Sequence, residues 1–190
     1  MRPLPESNWD VPREAELPGL IALKDACIAH LRAEGIGQWD EIYPSAVVLD
    51  GDRMAGTLHV VRRDGKIIGC VTLDTGHDPL WRGMNWRVPE ERAAAVHRLM
   101  VHPAARGRGL AKALMADAEA RARELGFLAV HLDCFAANPA ALKLYDRLGY
   151  HRIGIGQMRK GPFVCFEKSL VESLREGEVS ASLPRALRCA

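Results

Sequence analysis

Paired cysteines are missing from this chain. Cys27, Cys70, Cys134, Cys165 and Cys189 stand alone, their number is odd, and no two form a C-x-x-C pair. A disulfide framework or a zinc site is therefore not expected, and reduced, mostly buried thiols are. No metal is expected elsewhere. Long apolar runs are missing too: nothing approaches the ~20 residues that span a bilayer. The opening MRPLPESNWD has no basic-then-apolar signal pattern. Both absences lead us to expect a soluble, cytoplasmic protein with no membrane partner. Charge is nearly balanced, with 26 Lys+Arg against 24 Asp+Glu and a net charge of +2. Nucleic-acid-binding domains are usually far more basic and cluster their charge, so no nucleic-acid partner is expected and any strong positive field must be local. Internal repeats and low-complexity tracts are absent as well.

The chain has 190 residues, 48% hydrophobic and 26% charged, which suits one soluble domain with a core of its own. LPGLIALKDACIAHLRAEG reads as a helix, with Pro18 in its first turn and Gly35 at its end. A loop rich in aromatic and acidic residues follows, GIGQWDEIYPS. TLHVVRRDGKIIGCVTLD reads as a hairpin turning at Asp64-Gly65. HDPLWRGMNWRVPEE is a loop holding two of the four tryptophans. AAAVHRLMV is a strand, LAKALMADAEARARELG a helix, FLAVHLDCF a strand, NPAALKLYDRLG a helix and GPFVCFEKSL a last strand. The order predicts a mixed α/β class. We expect one domain over residues 1–170 and a tail or small appended element over 171–190.

The segment RLMVHPAARGRGLAKALMADA places two arginines and two glycines between an apolar strand and a helix. Leu110, Leu114, Ala118 and Ala122 recur every four residues, with Leu125 closing the stripe. Asp117 with Arg121 and Glu119 with Arg123 are expected on exposed faces at i,i+4, and Gly126 ends the helix. A helix start presents unpaired N–H groups and the positive end of the macrodipole. Glycines there let a ligand approach the backbone, and Arg106 and Arg108 add charge. The turn is therefore an anion site suited to a phosphate or pyrophosphate. It is not a Walker A loop, whose spacing is absent. Nor is it a dinucleotide fingerprint: Lys112 stands in the third place after Gly107 and Gly109, and Arg159 does so after Gly154 and Gly156.

In the later helix Asn138 suits the N-cap and Pro139 the first position, while Ala141, Tyr145 and Leu148 share one face. VHPAARGRGLA resembles the acyl-CoA loop of the GNAT N-acetyltransferase superfamily, [RQ]-x-x-G-x-[GA], with Arg106, Gly109 and Ala111 in its fixed places. NPAALKLYDRLGY resembles that family's later helix. The close match covers about 95–150, and GIGQWDEIYP is similar to a segment of some bacterial members.

The resemblance implies a splayed, mostly antiparallel central sheet flanked by helices. Two parallel central strands, about 95–101 and 128–134, would part to form an acyl-CoA cleft. It implies acetyl-CoA as co-substrate, its pyrophosphate on Arg106, Gly107, Arg108, Gly109, Leu110 and Ala111. The pantetheine would run along Leu99, Met100 and Val101, with Asn138 contacting the cofactor and Tyr145 near the thioester sulfur as acid. The expected function is N-acetyltransfer to a primary amine of a small molecule by direct attack in a ternary complex. A non-catalytic acyl-CoA-sensing module and a protein N-terminal acetyltransferase are the alternatives, and a homodimer through the C-terminal strands is the family-like assembly. An alkylamine is mostly protonated at neutral pH, so a base or water relay must take its proton. His97, two residues before Leu99 and expected to share its face, is one candidate base. Glu41 or Asp40 is another, and water alone or some other residue a third. The strand before the loop has no Glu, and Glu90 and Glu91 fall slightly early. Trp39, Asp40, Tyr43 and Trp86 are expected to border the acceptor, with Asp40 and Glu41 attracting a cationic amine. His131 and Asp133, facing away from the Leu132–Cys134 stripe, are expected to be structural.

Overall fold

The computed structural model describes residues 9–171; the tail reading of 171–190 lies, beyond Val171, outside the described residues. Six strands form one sheet in the order β1-β2-β3-β4-β6-β5. They are β1 (Leu58–Arg63), β2 (Lys66–Asp74), β3 (Ala93–Val101), β4 (Ala129–Phe135), β5 (His151–Met158) and β6 (Gly161–Ser169). All neighbours pair antiparallel except β3 and β4. Four helices complete the fold: α1 (Leu17–Ala33), α2 (Ala46–Met54), α3 (Leu110–Glu124) and α4 (Pro139–Arg147).

Alternation along the strands divides the apolar residues between two faces. Leu73, Ala94, Val96, Val130, Leu132 and Phe166 pack against Leu114, Met115, Ala118 and Ala122 of α3 and Tyr145 of α4. Leu58, Val60, Cys70 and Met100 pack on the other face against Leu20, Leu23 and Cys27 of α1 and Leu49 of α2. The loop between β2 and β3 covers the rest of that second face, where Trp81 seals Ala95 and Cys165 and Val88 seals Ala93 and Ala129.

Asp64 and Gly65 both take positive φ, 51° and 72°, the geometry that a type I′ hairpin turn demands. Two elements differ from expectation. The helix α2 forms behind Ser45, whose hydroxyl accepts from the Val48 N–H at 3.2 Å; two valines, two aspartates and a glycine in nine residues give it little intrinsic propensity. The strand β5 was hidden by Gly154 and Gly156. A Cβ on Gly154 would lie 2.7 Å from the Met84 sulfur, so a larger residue there would have to displace the Met84 side chain; the glycine marks close packing on the strand. On α3, Leu125 is 39% exposed rather than part of the stripe. Glu119 is buried at 6%, holding Lys168 at 2.7 Å and the Tyr150 hydroxyl at 3.1 Å. Asp117 approaches His59 at 3.4 Å.

The parallel pairing of β3 and β4 is short. It runs from Ala93 opposite Ala129 to Val96 opposite Leu132 and stops. Beyond that point the strands separate, and the edge of Leu99, Met100 and Val101 away from β2 has no strand partner. Within this parting sits a bulge. Thr72 pairs with His97 and Cys70 with Met100, so three steps on β3 match two on β2, and Arg98 takes φ 51°. The extra residue reverses the alternation. Leu99 therefore packs with Val96 and α3 and does not share the face of His97, as a regular strand would require.

Candidate active site

Where the strands part, a cleft of about 1360 Å³ opens. One wall is the turn into α3. A short 3-10 turn, Pro103–Ala105, leads to Arg106. Gly107 and Gly109 then adopt φ 75° and 79°, left-handed values that cost L side chains about 1–2 kcal/mol. Gly109 is the N-cap of α3 and offers no side-chain cap, so the first-turn N–H groups remain available to a ligand. Arg106, Gly107, Gly109, Leu110, Ala111 and Lys112 border the cleft, as do Leu99, Met100 and Val101. Arg108 is exposed beside the turn. Arg106 leans on His30 and Glu34 at the end of α1, and Lys143 and Arg147 of α4 add positive charge on the far wall.

Asn138 lies on the cleft but its side chain is already engaged. Its oxygen caps α4 through the Ala141 N–H at 3.1 Å, and its nitrogen donates to Gln38 at 2.9 Å. Tyr145 reaches the cleft from α4. Its hydroxyl has no hydrogen-bond partner among the described residues. Burial pushes the phenol well above its ordinary value, with Cys134 and Asp133 adding to the shift, so it remains protonated. The thiols bordering the cleft are also protonated: burial raises Cys134 to about 12 and Cys27 to about 11, far from thiolate reactivity.

Beyond Tyr145 the same cleft continues to a second end, where the expectations need correction. Trp39, Tyr43 and His97 border it; Asp40, Glu41 and Trp86 do not. The Asp40 carboxylate accepts from Arg159 at 2.9 and 3.0 Å, lies 2.6 Å from Lys160 and caps the Ile42 and Tyr43 N–H groups. Arg159 and then Lys160 hold it well below the usual carboxylate range. Its charge is spent on tying the α1–α2 loop to the β5–β6 turn. Glu41 is exposed and turned to Arg32 at 2.6 Å on the outer face of α1. Trp86 lies flat on His131 with ring centroids 3.9 Å apart and donates to the Trp81 carbonyl; it braces the loop.

Other groups occupy the places expected for those residues. Arg98, thrown to this side by the bulge, forms a fork with Asp52 at 2.6 and 3.0 Å and donates to the Tyr43 hydroxyl at 2.8 Å. Asp74 lies 3.6 Å from Arg98 and 3.3 Å from His97 Nε2. Burial would raise its carboxyl, but His97, the Gly76 N–H and Arg98 together hold it below the ordinary value. His97 Nε2 also meets the Gly76 carbonyl at 2.9 Å. Both neighbours only accept hydrogen bonds, so this nitrogen carries the proton. His131 is structural, as expected: it is fully buried and pairs with Glu167 at 3.1 Å, and the same Glu167 oxygen takes the Arg87 and Val88 N–H groups. Asp133, also expected to be structural, lies on the cleft. Its Oδ2 accepts from the Trp81 indole at 3.0 Å. No sequence motif marks Asp74, Asp133 or Arg98. The one available signal was that Asp133 faces away from the apolar stripe. Among the described residues no cluster suited to a metal ion occurs, and no helix is long and apolar enough to cross a membrane.

The acetyltransferase (GNAT) family pattern matches residues 23–150. This chain belongs to the GNAT acetyltransferase family. It is 40% identical over 72 residues to an acetyltransferase of Agrobacterium fabrum, covering 37% of this chain and 51% of that protein. The chain spans about half the length of the curated relatives it matches. Among solved structures, a GNAT-family acetyltransferase from Streptococcus agalactiae superposes with TM-score 0.73 at 20% identity, covering 84% of this chain and 92% of the other. The yncA protein of Salmonella typhimurium, solved with its cofactor acetyl-CoA, has TM-score 0.60 at 17% identity, covering 87% and 94%. These likenesses establish the mixed α/β fold with its six-stranded, mostly antiparallel sheet.

Proposed function

We propose that the protein moves an acetyl group from acetyl-CoA to a primary amine of a small molecule by direct attack in a ternary complex. The observation that carries this reading is the continuity of the cleft. One cavity runs from the glycine turn, past Tyr145, to the end bordered by Tyr43 and His97. Donor and acceptor can thus meet without a covalent relay.

The residues present fit acetyl-CoA in three ways. The N–H groups beside Gly107 and Gly109, backed by Arg106, Arg108 and Lys112, suit a pyrophosphate. The unpaired edge of Leu99, Met100 and Val101 suits an amide-bearing pantetheine arm lying as an added strand. The unpartnered Tyr145 hydroxyl suits a departing sulfur. Acetyl-CoA supplies an activated acyl thioester; Tyr145 Oη donates a proton to the leaving thiolate. A backbone N–H near Leu99, on the same unpaired edge, faces the developing oxyanion.

A small acceptor is favoured because Asp40, Arg159 and Lys160 tie together the two rims that a polypeptide would have to enter between. The test is thiol release from acetyl-CoA against a panel of primary amines. Steady, saturable release with at least one amine is expected. Tight acetyl-CoA binding without transfer to any amine would leave a sensing module in its place.

A further inference from the structure

We propose that Asp133 is the general base, taking the proton of the acceptor ammonium through its Oδ1; this rests on the acetyl-transfer reading above.

The placement comes from the sheet. Val96 and Leu132 are the last partners of the parallel pair. His97 and Asp133 are therefore the first residues on either side of the parting. They are carried on the face opposite Tyr145, which packs with Leu132 and Phe166 beneath α4. An acid on one side of the gap and a base on the other lets one group take the amine's proton as it adds to the thioester carbonyl, and the other meet the sulfur as the tetrahedral intermediate collapses. Asp133 and Tyr145 both border the one cleft.

The carboxylate is held and left half free. Trp81, itself fully buried, donates its indole N–H to Oδ2. No hydrogen bond among the described residues engages Oδ1. The ionisable groups that interact with its charge are His97 from β3, Asp78 from the β2–β3 loop, Tyr43 from the α1–α2 loop, Tyr145 from α4, its neighbour Cys134 and Cys165 from β6. Burial raises its carboxyl, Asp78 adds to the rise, and Trp81 and His97 oppose it. A carboxyl raised in this way is a better match to an amine's proton than an ordinary aspartate. His97 is the alternative base: its Nε2 donates to Gly76 and Asp74, which leaves only Nδ1 to accept a proton. Asp74 is a weaker base, neutralised between His97 and Arg98.

The step balances. The ammonium gives one proton to Asp133, and the freed nitrogen pair bonds to the thioester carbon. The C–S pair leaves on sulfur, and Tyr145 protonates it. The second nitrogen proton restores Tyr145, and Asp133 releases its proton to water. The products are the acetamide, the free thiol and one proton.

Asp133→Asn removes the base while its amide oxygen can still accept from Trp81. In protein labelled with carboxyl-13C aspartate, the signal lost in this variant is expected to titrate above the ordinary aspartate value of about 3.9. In turnover with the best amine of the panel, the variant should lose about 10²- to 10⁴-fold in kcat at unchanged acetyl-CoA affinity. It should also lose the acidic limb of kcat/KM, which rises with pH in the wild type as Asp133 deprotonates. The deficit should shrink for amines of lower pKa. His97→Gln should keep that limb. A carboxyl titrating at or below about 3.9, or an Asp133→Asn enzyme with wild-type kcat and limb, overturns the base alone. Loss of the limb in His97→Gln instead moves the base to His97. A wild-type protein that acetylates no amine overturns the acetyl-transfer reading, and the base with it.

Discussion

The two ends of the cleft are built differently. The donor end is nearly continuous in sequence: strand edge, 3-10 turn, two left-handed glycines and a helix start follow one another within Leu99 to Lys112. The acceptor end is assembled from the α1–α2 loop, α2, the β2–β3 loop, the bulge in β3, the parting of β4 and the β5–β6 turn. A contiguous site declares itself in residue order, because backbone geometry alone can demand each residue. An assembled site depends on which charges find each other across the sheet, and residue order does not say.

Arg98 offers the largest way to break the acceptor end without touching the donor end. Its side chain is 9% exposed and faces Asp52 and Asp74. Arg98→Met should leave those carboxylates uncompensated and cost about 3–5 kcal/mol, read by denaturant unfolding. A stability within 1 kcal/mol of wild type, roughly the range of an exposed ion pair, would reduce the network to a surface feature.

Tyr145→Phe probes the junction between the ends. The ring packs on Tyr150 and Phe166 and the hydroxyl has no hydrogen-bond partner among the described residues, so folding and acetyl-CoA affinity should persist. We expect kcat to fall about 10- to 100-fold, the low end for acid catalysis because a thiol already leaves fairly well. The phenol is protonated below its raised pKa, so the wild type should show no decline from Tyr145 ionisation up to about pH 10. Full activity in the variant, with chemistry limiting, would make Tyr145 a packing residue.

Gly109→Glu breaks the donor end. A side chain at φ 79° is strained, and its charge opposes an anion at the helix N-terminus. Acetyl-CoA affinity should drop more than about tenfold by calorimetry, while the fold persists. Unchanged binding in a folded variant would remove the anion turn. The smallest effect is expected at Glu41→Gln: with its carboxylate turned outward to Arg32, neither kcat nor acceptor KM should move. A clear rise in acceptor KM would return Glu41 to the site.

The same contrast explains what could be read in advance. The conformation of the glycine turn, the shared inward face of Ala141, Tyr145 and Leu148, the Asp64-Gly65 hairpin and the α1 boundaries follow from local rules and were legible. The helix α2 and strand β5 were not, because Val47, Val48 and Gly51 speak against a helix and Gly154 and Gly156 against a strand. Tertiary packing overrode both. Asp40 and Glu41 were misread because adjacent acids beside Trp39 look like a cation trap. Arg159 and Lys160, over a hundred residues away, claim Asp40, and Arg32 claims Glu41. The bulge at Arg98 defeated the two-residue alternation that placed His97 with Leu99. Asp133 could be assigned a face but not a neighbour.

Direct transfer across one continuous cleft is tested most simply by initial-rate kinetics with acetyl-CoA and the acceptor amine varied together. A ternary complex predicts double-reciprocal lines that intersect, since both substrates are bound when the acetyl group moves. Parallel lines, the mark of a covalent acyl-enzyme, would contradict it and put the acetyl group on a protein nucleophile such as Cys134 at the cleft wall.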